Sequence, residues 1–237
     1  MRTISCANPK GGVGKTTVAT VIATTIATYE AERPIRVKVI DADPAENVVL
    51  WAHQRQEAGL APLFEVISGV TADNMVSTID AIREAGDTDF LIIDLEGTAD
   101  QIAGFAVARS NLTIIPLSPS SMDARLAARA SGLVARMASV VNAPLNYVFA
   151  FCRTNAAIMT REHKKIIDQL RDNEQPVLDV DLKERSAFRE MFPLGLAVSE
   201  MPENKTGQIA KATDNAYEFT QCVIDFMVAS EGRKEAA

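Results

Sequence analysis

The order of apolar runs along this chain predicts a doubly wound α/β domain, a mostly parallel sheet with helices on both faces. Three observations carry that expectation. Short β-rich runs alternate with helical patterns over the whole length. Several runs are apolar on both faces, as in Phe90-Leu91-Ile92-Ile93 and Tyr147-Val148-Phe149-Ala150-Phe151, the pattern of central strands covered from both sides. The glycine-rich and acidic segments stand directly after such runs, where open α/β sheets bind their ligands.

In chain order, Thr3–Ala7 is the first strand and ends on a glycine-rich loop, and the helical stretch Lys15–Glu30 follows it. Ile35–Ile40 is the second strand, delivering a pair of aspartates, with helix Ala45–Glu57 behind it. Leu63–Ile67, helix Thr71–Ala85 and strand Phe90–Ile93 continue the alternation, and Gln101–Ala108 is the next helix. Strand Leu112–Pro116 leads to helix Met122–Val141, and strand Leu145–Phe151 to helix Arg161–Arg171. Val177–Val180 is the last expected strand, followed by helices Glu184–Met191 and Gly207–Val228.

A chain of 237 residues fits one larger domain, expected over 1–229 with a polar tail at 230–237. Apolar residues at 47% and charged residues at 23% suit a globular protein, and the scattered ten prolines and twelve glycines leave no long linker. No window approaches 18 uninterrupted apolar residues, and the N-terminus lacks the pattern of a signal peptide. Cys6, Cys152 and Cys222 lie far apart with no CxxC spacing, which fits reduced, buried thiols and a cytoplasmic address. A net charge of −7 argues against a histone-like binder and leaves a local basic patch open. His53 and His163 stand alone in polar helical stretches and read as surface residues, while Trp51 and Phe64 read as core.

The most specific segment is Asn8-Pro9-Lys10-Gly11-Gly12-Val13-Gly14-Lys15-Thr16-Thr17. Its glycines let successive backbone N–H groups point into one concavity that can hold phosphate oxygens. The helix that follows presents its positive end to the same anion. Lys15 supplies a point charge to the β- and γ-phosphates, and the Thr16 hydroxyl is placed for Mg²⁺. The ordinary phosphate-loop pattern wants glycine where Pro9 stands, yet a chance match to the remainder in this length has odds of roughly 1 in 10,000.

Two acidic motifs accompany it. Val39-Ile40-Asp41-Ala42-Asp43-Pro44 sets two carboxylates at the rim of the sheet, and Asp43 before Pro44 also suits a helix start. Phe90-Leu91-Ile92-Ile93-Asp94 delivers Asp94 to the same rim, where it can hold Mg²⁺ through water. Alone the last pattern is weak; in register with the others it is strong.

The loop resembles the deviant Walker A motif of the ParA/MinD family of P-loop ATPases. That resemblance implies a homodimer closing around ATP, with Lys10 reaching the other subunit's phosphates in trans as an arginine finger does. It implies ATP contacts from Lys10, Gly11, Gly12, Val13, Gly14, Lys15, Thr16 and Thr17, and a base contact from Asn155 within Phe151-Cys152-Arg153-Thr154-Asn155. By the same resemblance Thr16, Asp41 and Asp94 form the Mg²⁺ shell, and Asp43 orients the attacking water. Lys10, Lys15 and Asp43 are thus the expected catalytic set.

Ala45 and Glu46 stand where the family commonly has Gln and Gly, and Leu95-Glu96-Gly97 replaces its frequent Pro-Pro. VirC-type relatives that work in DNA transfer also lack the Pro-Pro pair. The resemblance further implies non-specific DNA binding, nucleoid association in the ATP state, and a ParB-like or cargo adaptor; no membrane partner is expected, because the last helix carries Tyr217, Phe219, Cys222, Val223, Phe226 and Met227 as core positions rather than a basic amphipathic face. Lys183, Arg185, Arg189, Lys205 and Lys211 are the candidate DNA contacts, with Arg153, Arg161, Lys164 and Lys165 as further cations. Acidic neighbours make a solvated mixed face the competing reading. A metabolic ATP-dependent enzyme on the same scaffold is the remaining alternative; the cysteine positions do not suit a shared iron–sulfur cluster.

Overall fold

The computed structural model describes residues 1–97, 100–203 and 207–235. Among these, the elements are β1 Arg2–Cys6, α1 Lys15–Ala27, β2 Val37–Ala42, α2 Asn47–Glu57, β3 Glu65–Ile67, α3 Met75–Ala85, β4 Phe90–Leu95 and α4 Asp100–Ala108. The second half holds β5 Leu112–Leu117, α5 Ser121–Val141, β6 Tyr147–Thr154, α6 Arg161–Asp172, β7 Leu182–Lys183, α7 Ala187–Leu194 and α8 Gln208–Glu235. The strands form one sheet in the order β3-β2-β4-β1-β5-β6-β7, with every pairing parallel. The doubly wound α/β expectation therefore holds.

A one-residue step along a strand turns the next side chain to the opposite face. Val39 and Ile92 accordingly join the core under α1 and α8, whereas Ile40, Leu91 and Ile93 join the core under α3 and α4. Runs apolar on both faces are stable here because helices cover both. β1 lies between β4 and β5, while β2 lies beyond β4, so the winding reverses at β1. The crevice at the carboxyl end of β1 is the place where such a sheet binds ligands.

The third sequence motif depends on register. Asp41 of β2 and Asp94 of β4 are paired across neighbouring strands, and Cys6 of β1 pairs with Asp94 from the other side. Both carboxylates therefore emerge level with the start of the phosphate loop. Behind them, α2 is fastened to the segment that leaves α7. The indole N–H of Trp51 donates to the Leu196 carbonyl at 3.2 Å. The Arg55 guanidinium grips both oxygens of Glu200 at 2.7 and 2.8 Å.

Four expectations need correction. Val177–Val180 is not a strand: Val177 makes an isolated bridge to Phe149, and the ladder resumes at Leu182 and Lys183 after a register shift against β6. Helix α7 starts at Ala187 rather than Glu184, because the Glu184 N–H is still donating to the Thr154 carbonyl in the ladder direction. His163 is buried, not a surface residue: α6 turns it inward onto the Phe151 ring, at 4.4 Å between centroids. Helix α8 also continues past Val228 to Glu235, its end held where the Glu231 carboxylate meets Arg2 and Asn111. Cys6 and Cys152 are buried free thiols and Cys222 is half-buried, as their spacing suggested.

Candidate nucleotide site

The loop between β1 and α1 is shaped by its own sequence. Gly12 and Gly14 sit at φ 75° and 102°, in the left-handed region that L side chains avoid. The Asn8 side chain braces the loop, its amide donating to the Pro116 carbonyl at 2.7 Å and its carbonyl accepting from the Lys10 N–H at 2.8 Å. No side chain caps α1 at Gly14, and no acidic residue occupies its first turn, so the helix N-terminus faces the loop open. The Lys15 ammonium lies across the loop mouth, donating to the Lys10 carbonyl at 3.2 Å.

A cavity of about 470 Å³ opens from this loop. Gly11, Gly12, Gly14, Lys15, Thr16 and Thr17 line its phosphate end, with Asp43, Asn47 and Gly97 beside them. Leu182, Phe188 and Arg185 form the far wall. Gly97 approaches the loop so closely that a Cβ there would stand 3.1 Å from the Pro9 carbonyl oxygen and 3.2 Å from the Gly11 nitrogen. Arg153, itself at φ 57°, closes one side by donating from Nη1 to the Gly12 carbonyl at 2.7 Å.

The three acidic groups differ in their settings. Asp41 is buried and accepts the first free N–H groups of α2, from Val48 at 2.9 Å and Val49 at 3.1 Å. Burial pushes its carboxyl up, opposed by those backbone bonds. It is thus Asp41, rather than Asp43, that caps α2. Asp43 accepts from its own loop at the Ala45 N–H, 2.9 Å, and lines the cavity. Glu46 holds the adjoining αL position at φ 47°, where a glycine would be unstrained.

Asp94 has no exposed surface, and neither of its oxygens meets a hydrogen-bond partner. Burial pushes its carboxyl up to about 7, Asp41 and Asp43 add to the rise, and the Thr16 hydroxyl lies near enough to oppose it without closing a bond. An orphaned carboxylate beside a hydroxyl and two further aspartates is the donor set a hard, water-bearing cation requires. Thr16, Asp41 and Asp94 fit Mg²⁺.

Lys10 behaves differently from the rest of the loop. Its side chain is absent from the cavity lining, and its ammonium is ion-paired with the buried carboxylate of Asp123, in the first turn of α5. Val13 is buried, contributing backbone to the loop. Asn155 does not line the cavity: its side-chain oxygen accepts from the Ala157 and Ile158 N–H groups, closing a turn.

Among the expected DNA contacts, Lys183, Arg185 and Arg189 are drawn to the cavity wall, with Lys183 held by Asp181 at 2.9 Å and Arg189 paired with Glu184. Lys211 is exposed on α8, and Lys205 lies outside the described residues. Asp123 escaped the sequence reading, and Gly97, Asn47 and Phe188, though within motif segments, were assigned no role by it. Asp123 had one signal, an acidic residue in the first turn of a helix behind Ser-Pro-Ser-Ser.

Comparison with known proteins bears on the same segments. Residues 1–227 match the family model described as VirC1 protein. The chain is 29% identical to "Protein ParA" of Rhizobium radiobacter over 224 residues, covering 94% of this chain and 96% of that one. Its fold is similar to a chain of the MinC:MinD cell division protein complex of Aquifex aeolicus, with a TM-score of 0.69 and 19% identity over 95% of this chain and 96% of that one. It is also similar to an ATP complex of a Cyanothece McdA variant, with a TM-score of 0.68 and 15% identity over 94% and 96%.

Proposed function

The chain belongs to the VirC1 family, within the ParA/MinD-type partition and positioning ATPases, and from that premise we propose that it is a Mg²⁺-dependent ATPase that closes as a homodimer around ATP and positions a DNA-borne cargo. The observation that carries this reading is the division of labour between its two loop lysines. Lys15 lines its own cavity, whereas Lys10 does not, although both belong to one loop. A cation displaced from its own phosphate site is available to a second one. Lys10 leaves Asp123 and enters the partner's site when two loops meet.

In each site the loop N–H groups and Lys15 hold the triphosphate, and the apolar wall of Leu182 and Phe188 with Arg185 receives the base and ribose. Thr16, Asp41 and Asp94 would hold Mg²⁺, which would supply charge neutralisation at the β- and γ-phosphates. Asp43 orients a water for in-line attack on the γ-phosphorus, whose bond to the bridging oxygen breaks to release ADP and phosphate. Lys10 from the other copy stabilises the charge developing on the transferred group. Turnover is slow until DNA and an adaptor protein are engaged, so hydrolysis serves as a timer; the solved complex with MinC supports a protein partner of this kind.

The match to the VirC1 family over residues 1–227 favours a second reading of the cargo, DNA prepared for conjugative transfer rather than a plasmid or chromosome locus held for partition. Size-exclusion chromatography of Asp43→Ala with Mg-ATP tests the first step. A dimer that appears with ATP and not with ADP is expected; a strictly monomeric protein in both would contradict the proposal. Scoring a deletion strain for plasmid loss and for transfer frequency separates the two cargoes.

A further inference from the structure

Helix α5 carries three arginines, Arg125, Arg129 and Arg136, at positions i, i+4 and i+11. At about 100° per residue these fall within an arc of about 40°, on a line roughly 16 Å long parallel to the helix axis. All three are exposed, and no hydrogen bond or ion pair reaches any of them among the described residues. The one acidic residue of α5 is Asp123, which is buried and bound to Lys10. Arginines elsewhere are commonly tied to acids, as Arg55 is to Glu200 and Arg171 to Asp179. In a chain of net charge −7, this is a cationic line with no ion-pair partner among the described residues, and Glu96 is the acidic residue in the groove that Arg129 and Arg136 border.

The surroundings of the line decide what it fits. Arg129 and Arg136 stand on the lip of a groove of about 670 Å³, whose walls include Ala128, Gly132 and Ala103. Within the line the fully exposed positions are Ala128 and Ala135, with Leu126, Ser131, Gly132 and Leu133 half-buried, and Met122 and Val140 stand exposed at its two ends. Stable protein interfaces are centred on aromatic or large aliphatic anchors, and between Arg125 and Arg136 no large apolar side chain stands fully exposed. Phosphate contacts need no such anchor; they need mobile cations at backbone spacing that a broad surface can approach.

We infer that the α5 line of Arg125, Arg129 and Arg136 is the surface by which this protein holds the phosphate backbone of duplex DNA. The inference rests on the reading that the ATP-bound protein associates with DNA, and relocates the contact. Three of the cations expected to serve it, Lys183, Arg185 and Arg189, line the nucleotide cavity instead, with Lys183 and Arg189 held by acids.

Binding of a dye-labelled 30-base-pair duplex, followed by anisotropy with Mg-ATPγS between 50 and 200 mM salt, tests this. The comparison is R125A/R129A/R136A against wild type and against R161A/K164A/K165A on α6. The α5 variant is expected to lose at least 30-fold in affinity at the lowest salt, and its log–log salt slope to shrink by about 2.7, near 0.9 per phosphate lost. Single R129A and R136A are each expected to reduce the slope by about 0.9, a readout that a mere loss of fold would not give. ATPγS affinity should be unchanged throughout.

If wild type binds the duplex and the α5 variant keeps its affinity and slope, the α5 assignment falls while the DNA-binding reading stands. If wild type binds no duplex at all, both fall. Should polyglutamate of matched charge bind as tightly and with the same arginine dependence, the surface takes an acidic protein and the DNA assignment is overturned.

Discussion

The ammonium of Lys10 and the carboxylate of Asp123 form an ion pair that joins the phosphate loop to the first turn of α5, outside the nucleotide cavity. Asp123 is almost wholly buried, while Lys10 is 35% exposed, so the lysine is the partner free to leave. Burial pushes the Asp123 carboxyl up, but the Lys10 ammonium together with the Ser118 and Ser120 hydroxyls outweighs that and holds it below the usual carboxylate range. A carboxylate held below its unfolded value stabilises the fold above that value, and the contribution is lost as pH falls through the folded one.

Lys10→Ala leaves that buried carboxylate without its cation. Removing one partner of such a pair is expected to destabilise the nucleotide-free protein by about 1–3 kcal/mol at pH 7. The deficit should narrow toward pH 3, because Asp123 takes up its proton in the variant at a pH where Lys10 still holds it ionised in wild type. Urea denaturation at pH 7 and at pH 3.5 measures it, and an equal deficit at both values would remove the ion pair from the account.

Asp94 gives the opposite pH dependence. A carboxyl raised to about 7 when folded binds its proton more tightly than the unfolded chain does. Stability of the nucleotide-free protein therefore falls as pH rises from about 4 to about 7, by an amount on the order of 4 kcal/mol. Asp94→Asn should abolish that loss and raise the melting temperature at pH 8, while weakening Mg-ATP binding at least tenfold. In wild type at pH 7, binding of Mg-ATP should release about half a proton, read by calorimetry in buffers of different ionisation enthalpy.

Gly97→Ala is a test of close approach. The new Cβ would press on the Pro9 carbonyl and the Gly11 nitrogen, and the loop must give by a few tenths of an ångström. Nucleotide affinity should fall about tenfold with stability changed by less than about 1 kcal/mol, because the strain lands on the phosphate loop rather than the core. Fluorescent-nucleotide titration paired with thermal melting separates the two.

Gly195→Ala should do the reverse. Gly195 sits at φ 61°, and a Cβ there would lie 2.1 Å from the backbone nitrogen of Arg55. Helix α2 and the C-terminal end of α7 would be forced apart at Gly195, straining the nearby Arg55–Glu200 pair, a loss of about 3 kcal/mol or more. Urea midpoints check this; a variant as stable as wild type would mean that the α2–α7 contact is looser than described.

The sheet and the phosphate end of the site were legible because each rests on local pattern. Runs apolar on both faces require two covering layers, and the glycine spacing before Lys15 has few other uses. Register then placed Asp41 and Asp94 together without further information. What was not legible depends on contacts between distant segments. Val177–Val180 has strand composition, but the ladder against β6 slips and resumes at Leu182. His163 lies in a polar stretch, yet α6 presents it to Phe151. Lys183 and Arg189 look like a basic patch in sequence; Asp181 and Glu184, close by in the chain, turn them into paired residues of the cavity wall.

The exchange of lysines between two copies can be measured by mixing two inactive variants. Lys10→Ala keeps Asp43, and Asp43→Ala keeps Lys10, so a mixed dimer holds one complete site only if Lys10 acts on its partner. Equal mixing is expected to restore about a quarter of wild-type ATP turnover, since about half of the dimers are mixed and each has one competent site of two. No recovery in the mixture, with each variant shown to bind ATP and the mixed dimer shown to form, would place Lys10 in its own site and contradict the account.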